Sequence, residues 1–260
     1  MVSVKFVIFC IFLLPLQSKS ADQTANRPSS IALRKRLHVN PLITEPDTLD
    51  FEWGGSFSVG GNFSLPTTVR FTPEGRHIYW GRTEFSANFD ALNNAGAATH
   101  FGDRATFAAT CVLRDGEKLD IAFAPLASFL LRGDTGARLG GTAIVRYDVG
   151  RSSMGVTVGW TSATHASRSN PGGALDMGGG YGYRLASAGA LGHLTAHTNC
   201  VWEKSSGTER QVSFFEGVEY QIREPVALDF SAQHLNIWGG QIDHQVVIGL
   251  TVNTGKLHRH

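Results

Sequence analysis

A two-residue hydrophobic period that starts at Leu49 and is still running at Val252 constrains this chain more than any other feature. Alternation of that kind turns one face of a strand toward an apolar medium and the other away from it, whereas a helix needs apolar positions every three to four residues. The first segment sets Leu49, Phe51, Trp53 and Phe57 against Asp50, Glu52, Ser56 and Ser58; the second sets Phe63, Leu65, Val69 and Phe71 against Ser64, Thr68 and Arg70. The third opposes Phe85, Ala87 and Phe89 to Arg82, Glu84, Ser86, Asn88 and Asp90, and the fourth opposes Ala105, Phe107, Ala109 and Cys111 to Arg104, Thr106 and Thr110. The rule holds through Asp120 and Ser128, then Arg138, Thr142, Arg146 and Asp148, then Ser153 and Thr157. It continues through Asp176, glycines and Arg184, then Thr195, His197, Asn199 and Glu203, then Gln211 and Glu219, then Asp229, and closes on Val246, Ile248, Leu250 and Val252. That makes twelve segments, with ten to fourteen compatible.

An even number of amphipathic strands of about ten residues, with no helical pattern between them, is what a closed membrane barrel requires, because lipid tolerates no open sheet edge. The expected fold is therefore all-β: a closed antiparallel up-and-down transmembrane β-barrel. A soluble barrel or sandwich is the rival. Strand length above the usual five to six residues, a charged second face, and aromatic residues at strand ends (Tyr79 with Trp80, Trp160, Trp202 and Trp238) favour the membrane. After the first 20 residues no apolar run reaches the ~18 needed for a membrane helix.

Lys5, the apolar run Phe6 to Leu16 and the small residues Ser18 and Ser20 read as an export signal cleaved before Ala21. The domain plan is thus a signal peptide over 1–20, a mobile periplasmic leader over 21–47, an outer-membrane barrel over 48–255 and a short tail over 256–260. The formal charge of +1 supplies no basic field, so nucleic acid is not an expected partner. Cys111 and Cys200 lie on strands far apart in order and are expected as free buried thiols. Compact connections after strands two, four, six and ten and longer ones after three, seven and nine place both termini in the periplasm.

The stretches Asn40 to Leu42, Glu45 to Leu49, Asp176 to Arg184 and Asp243 to Gly255 resemble those of the transporter-like outer-membrane proteins grouped under the label "MetA pathway of phenol degradation". The likeness covers roughly residues 40–255 and implies a β-barrel with a transport role and no defined substrate. Barrels of that kind usually end on an aromatic residue; this chain ends on Lys256-Leu257-His258-Arg259-His260.

The candidate pore-lining or lumenal ion network is Glu52, Arg70, Arg82, Glu84, Asp90, Arg104, Arg146, Asp148, Asp176, Arg184, Glu203, Glu219 and Asp229. Such charges either line a solute path or close it through ion pairs, and the sequence leaves both open. Their signs look close to balanced, which argues against strong ion selectivity. The expected function is a passive channel or transporter for a small solute, with outer-membrane lipid and the barrel-assembly machinery as partners and no cofactor or metal. Two alternatives stand beside it. One is a lipid A-type esterase built on His165 and Ser167; the other is a non-conducting structural or adhesive barrel, to which Arg132-Gly133-Asp134 is relevant. His193 and His197 stand four apart, about 13 Å on a strand, and read as lumenal polar residues rather than metal ligands.

Overall fold

In a computed structural model of the chain, the described residues are 43–59, 61–74, 82–94, 99–132, 136–167, 172–186, 193–207, 210–223, 225–238 and 242–256. The signal peptide, Tyr79, Trp80, Gly133, Asp134 and residues 257–260 lie outside them.

The alternation yields twelve strands: β1 (Thr48–Ser58), β2 (Phe63–Thr72), β3 (Thr83–Asn94), β4 (Arg104–Arg114), β5 (Leu119–Leu130), β6 (Ala137–Val149), β7 (Ser152–Ala163), β8 (Gly173–Arg184), β9 (Leu194–Ser205), β10 (Arg210–Arg223), β11 (Val226–Leu235) and β12 (Asp243–Lys256). Each pairs antiparallel with its sequence neighbours, and β1 pairs with β12, so the sheet closes on itself with no free edge. A strand of 12 residues tilted by about 45° rises about 28 Å, enough to cross an apolar band of about 25 Å.

The seam runs from Thr48 opposite Lys256 to Ser58 opposite Gln245, with one register shift between Thr48 and Asp50. Both described ends of the chain therefore meet at one rim. We call this the terminal rim and the opposite one the far rim. Gly150, at φ +60°, supplies the left-handed residue that the two-residue turn between β6 and β7 needs.

Connection lengths separate the rims less cleanly than expected. The connection after β9 is only 206–209, while the terminal rim carries long ones after β2 and β8. Turn length follows local strand stagger as well as side of membrane, so it is a weak guide.

Each expected apolar face points outward. Phe57, Trp160, Phe230 and Ile248 are about half exposed, as a lipid-facing wall demands, and Phe51 stacks on Trp53 at 5.4 Å between centroids. The inward face is polar: Thr48, Glu52, Arg70, Thr72, Glu84, Thr110 and Asn199 are all at or below 2 % exposure. Trp160 and Trp238 are exposed. Both cysteines are free, but Cys200 is exposed on the outer wall rather than buried, because its phase on β9 is the lipid-facing one.

Candidate functional site

The chemistry of this fold lies inside the barrel, in two charged layers separated by a band of small residues.

The layer nearest the terminal rim is built first on β1 to β3. The register sets Asp50 opposite Arg70 and Arg70 opposite Ser86. The fully buried Arg70 guanidinium hydrogen-bonds Glu52, reaches Asp50 Oδ2 at 3.7 Å and lies 3.8 Å from Glu84 Oε2. One cation thus serves three carboxylates, and Asn253 of β12 donates a further hydrogen bond to Asp50 across the seam. Residues 43–47, expected to be part of a mobile leader, instead fold into this mouth. The Thr44 backbone N–H donates to Glu84 Oε2 at 2.8 Å, its hydroxyl pairs with that of Thr72 at 2.8 Å, and Asp47 N–H donates to the Thr72 carbonyl at 2.7 Å. The buried Glu84 carboxylate needs donors, and the incoming backbone supplies one.

Two further clusters complete the layer. On β5 and β6, Arg146 Nη2 bridges Asp148 at 2.7 Å and Asp120 at 3.2 Å. On β9 to β11, His197 Nε2 donates to Asp229 Oδ2 at 2.9 Å, and Glu219 stands directly opposite Asp229. The histidine reaches diagonally over Gly217 of β10. A Cβ there would stand 2.6 Å from Ser231 Cβ, so the glycine keeps this crossing open.

The band between the layers is lined by Gly54, Ala122, Ala124, Ile144, Thr157 and Gly178, with Phe215 projecting inward at 2 % exposure. No lumenal charge interrupts it among the described residues.

The layer near the far rim has a basic wall and an acidic wall. Arg104 Nη1 donates to Ser128 Oγ at 3.2 Å, and Arg138 Nη2 donates to Thr161 Oγ1 at 2.8 Å. Beyond β7, Asp176 stands opposite both Gly159 and Glu203. A Cβ on Gly159 would lie 2.7 Å from Asp176 Cγ, so this glycine makes room for the carboxylate, the service expected of lumenal glycines. Asp90 on β3 and Asp243 on β12, the latter accepting from Gln245 at 2.8 Å, add two more acids.

Eleven of the thirteen candidates fall on the lumenal wall within the barrel. Arg82 lies just before β3 and is exposed; Arg184 is the last residue of β8 and is also exposed. Both sit at the terminal rim: Arg82 precedes the ladder, and Arg184 ends it opposite Thr195. Asp50, Asp120, Arg138, His197 and Asp243 are lumenal partners missing from the candidate set, although the period had already placed the first four on the polar face. With Arg82 and Arg184 set at the rim and Asp50, Asp120, Asp243 and Arg138 added, the expected balance of signs is overturned: among the described residues, eleven acids face four arginines. Thr44 carried no signal, since the segment before β1 has no period.

Of the adhesion motif, Gly133 and Asp134 lie outside the described residues. His165 and Ser167 lie beyond β7, while Asp176, the acid nearest them in sequence, is committed to the lumen opposite Glu203. His193 is exposed just before β9, apart from the His197 pairing. No cluster of three metal-ligating side chains occurs among the described residues.

Solved structures place the fold. The NanC porin matches with a TM-score of 0.59 at 10 % identity, covering 78 % of this chain and 98 % of that one. The KdgM porin matches with a TM-score of 0.54 at 9 % identity over 78 % and 98 %. A KdgM porin in complex with disordered oligogalacturonate matches with a TM-score of 0.54 at 9 % identity over 79 % and 98 %. No family model and no curated relative matches the chain, so the phenol-degradation label finds no support beyond the outer-membrane barrel architecture itself. The class the fold defines is the closed twelve-stranded antiparallel barrel shared with outer-membrane porins.

Proposed function

We propose that this chain resides in the bacterial outer membrane and acts as a passive channel for small solutes, with the terminal rim toward the periplasm. The observation that carries the reading is the pairing of an edge-free barrel having an apolar exposed outer wall with a charged inner wall. Water-filled lumens need the second and lipid needs the first. Solutes pass from the far rim, between the Arg104/Arg138 and Asp176/Glu203 walls, through the uncharged band and on to the Arg70 layer, where Thr44 narrows the mouth. Selectivity comes from the two charged layers. The thirteen candidates then divide by role: eleven face the path, and Arg82 and Arg184 frame its periplasmic mouth. Lipid on the outer wall and the barrel-assembly machinery during insertion are the partners. The carboxylate-rich lumen is not suited to a polyanion such as the oligogalacturonate of the KdgM complex.

The test has two stages. Protein taken from isolated outer membranes is run on a detergent gel boiled and unboiled, and the folded barrel migrates anomalously until heated. The folded material is then placed in a planar bilayer, where stepwise conductance is expected. A soluble periplasmic protein with no heat shift, or a heat-shifted protein with no conductance, overturns the reading.

A further inference from the structure

We infer that the path through this barrel favours positively charged solutes, namely small inorganic cations and compact organic ammonium compounds, over anions. The inference rests on the channel reading and deepens it.

Among the described residues, the lumenal side chains held within the strands and not exposed comprise eleven carboxylates and four guanidiniums. Seven of the acids and two of the arginines, Arg70 and Arg146, belong to the terminal layer. Four acids and Arg104 with Arg138 belong to the far layer. With histidine neutral these described lumenal side chains carry a formal charge of about −7. The whole chain is +1, with 23 Lys+Arg and 22 Asp+Glu. Among the described residues 11 of 18 acids therefore point inward, against 4 of 14 basic residues. That segregation is a property of the fold and is invisible in the net charge.

Its placement matters as much as its size. A solute has to cross both layers, and each has more acids than bases. An anion drawn to the Arg104 and Arg138 wall still meets the acid-rich terminal layer; a cation is attracted in both. Low-dielectric walls around a narrow lumen focus such a field.

The experiment uses the full chain, folded as judged by the heat shift, in a planar bilayer under a tenfold KCl gradient. The expected reversal potential corresponds to a K⁺ over Cl⁻ permeability ratio of roughly 3 or more. The double variant D176N/E203Q should bring the ratio closer to one. These two acids suit the test because they stand opposite each other on neighbouring strands, so neutralising them removes a like-charge pair and spares folding. Conductance with a ratio at or below one, or a ratio unmoved by the double variant, overturns the selectivity and leaves the channel standing. A heat-shifted protein that never conducts overturns the channel reading and the selectivity with it.

Discussion

Replacing Arg70 with Met tests whether the terminal layer is held by its single buried cation. Arg70 is 1 % exposed, between Glu52 at 2 % and Glu84 at 0 %, with Asp50 at 9 %. Each carboxylate attracts the guanidinium by about 4 kcal/mol at ~4 Å in an effective dielectric of 20, before desolvation is charged against it. Methionine fills a similar length and removes all of that attraction. It also leaves three acids confined together with neither bulk water nor a counter-ion. Breaking a buried pair by deleting one partner costs about 3–5 kcal/mol, most of it from the stranded charge. The expected loss for R70M is in that range. It should be read from the urea midpoint of the heat-shifted band in lipid vesicles, where folded and unfolded barrels separate on the gel. The triple variant E52Q/R70M/E84Q should recover much of the loss, because removing both sides of a buried pair is far cheaper than removing one. Wild-type stability in R70M, or no recovery in the triple variant, would refute the charge argument.

Three further outcomes follow from particular contacts. Thr44→Pro removes the N–H that donates to Glu84, so the 43–47 segment should loosen and single-channel conductance should rise; unchanged conductance would show that this segment does not limit the path. Gly217→Val drives a side chain into Ser231 and the Phe230 carbonyl, both within 2.7 Å of the new Cβ, and should lower the urea midpoint by the equivalent of about 2 kcal/mol or more. Cys200 faces outward in mid-strand, so a charged water-soluble maleimide should label it after urea unfolding and not in the native membrane, and equal labelling in both states would contradict the assigned face.

The twelve strands were legible because period two is a local property: each segment declares its apolar face without reference to any other. The lumenal location of Glu52, Glu84, Asp90 and Glu203 followed from the same signal. Pairing is a different kind of information. That Arg70 serves Glu52 on β1 and Glu84 on β3 at once, or that His197 crosses β10 to reach Asp229, depends on stagger between strands and on a glycine at 217. No alternation records either. Strand ends are the other blind spot: alternation alone does not separate Arg82 and Arg184, at the rim, from charges along the lumen. The capping by Thr44 escaped because a segment with no period offers nothing to read. The balance of signs changes for a simpler reason: Arg82 and Arg184 sit at the rim, while Asp50, Asp120 and Asp243 join the lumen against Arg138 alone.

Eleven of the barrel's pairings join consecutive strands, while the seam between β1 and β12 joins residues such as Asp50 and Asn253, 203 positions apart. Hairpins can form as soon as their two strands exist, whereas the seam has to wait for the last strand and carries nearly all the long-range ordering entropy of the molecule. Until it closes, β1 and β12 each present an unpaired edge that lipid will not accept, so insertion and closure are coupled into one late step. The ring itself has no preferred origin. If Thr48 and Lys256, already opposite each other, were joined by a short turn and the chain reopened at Gly150 and Arg151, the same barrel should form with its slow closure moved to the pairing of β6 with β7.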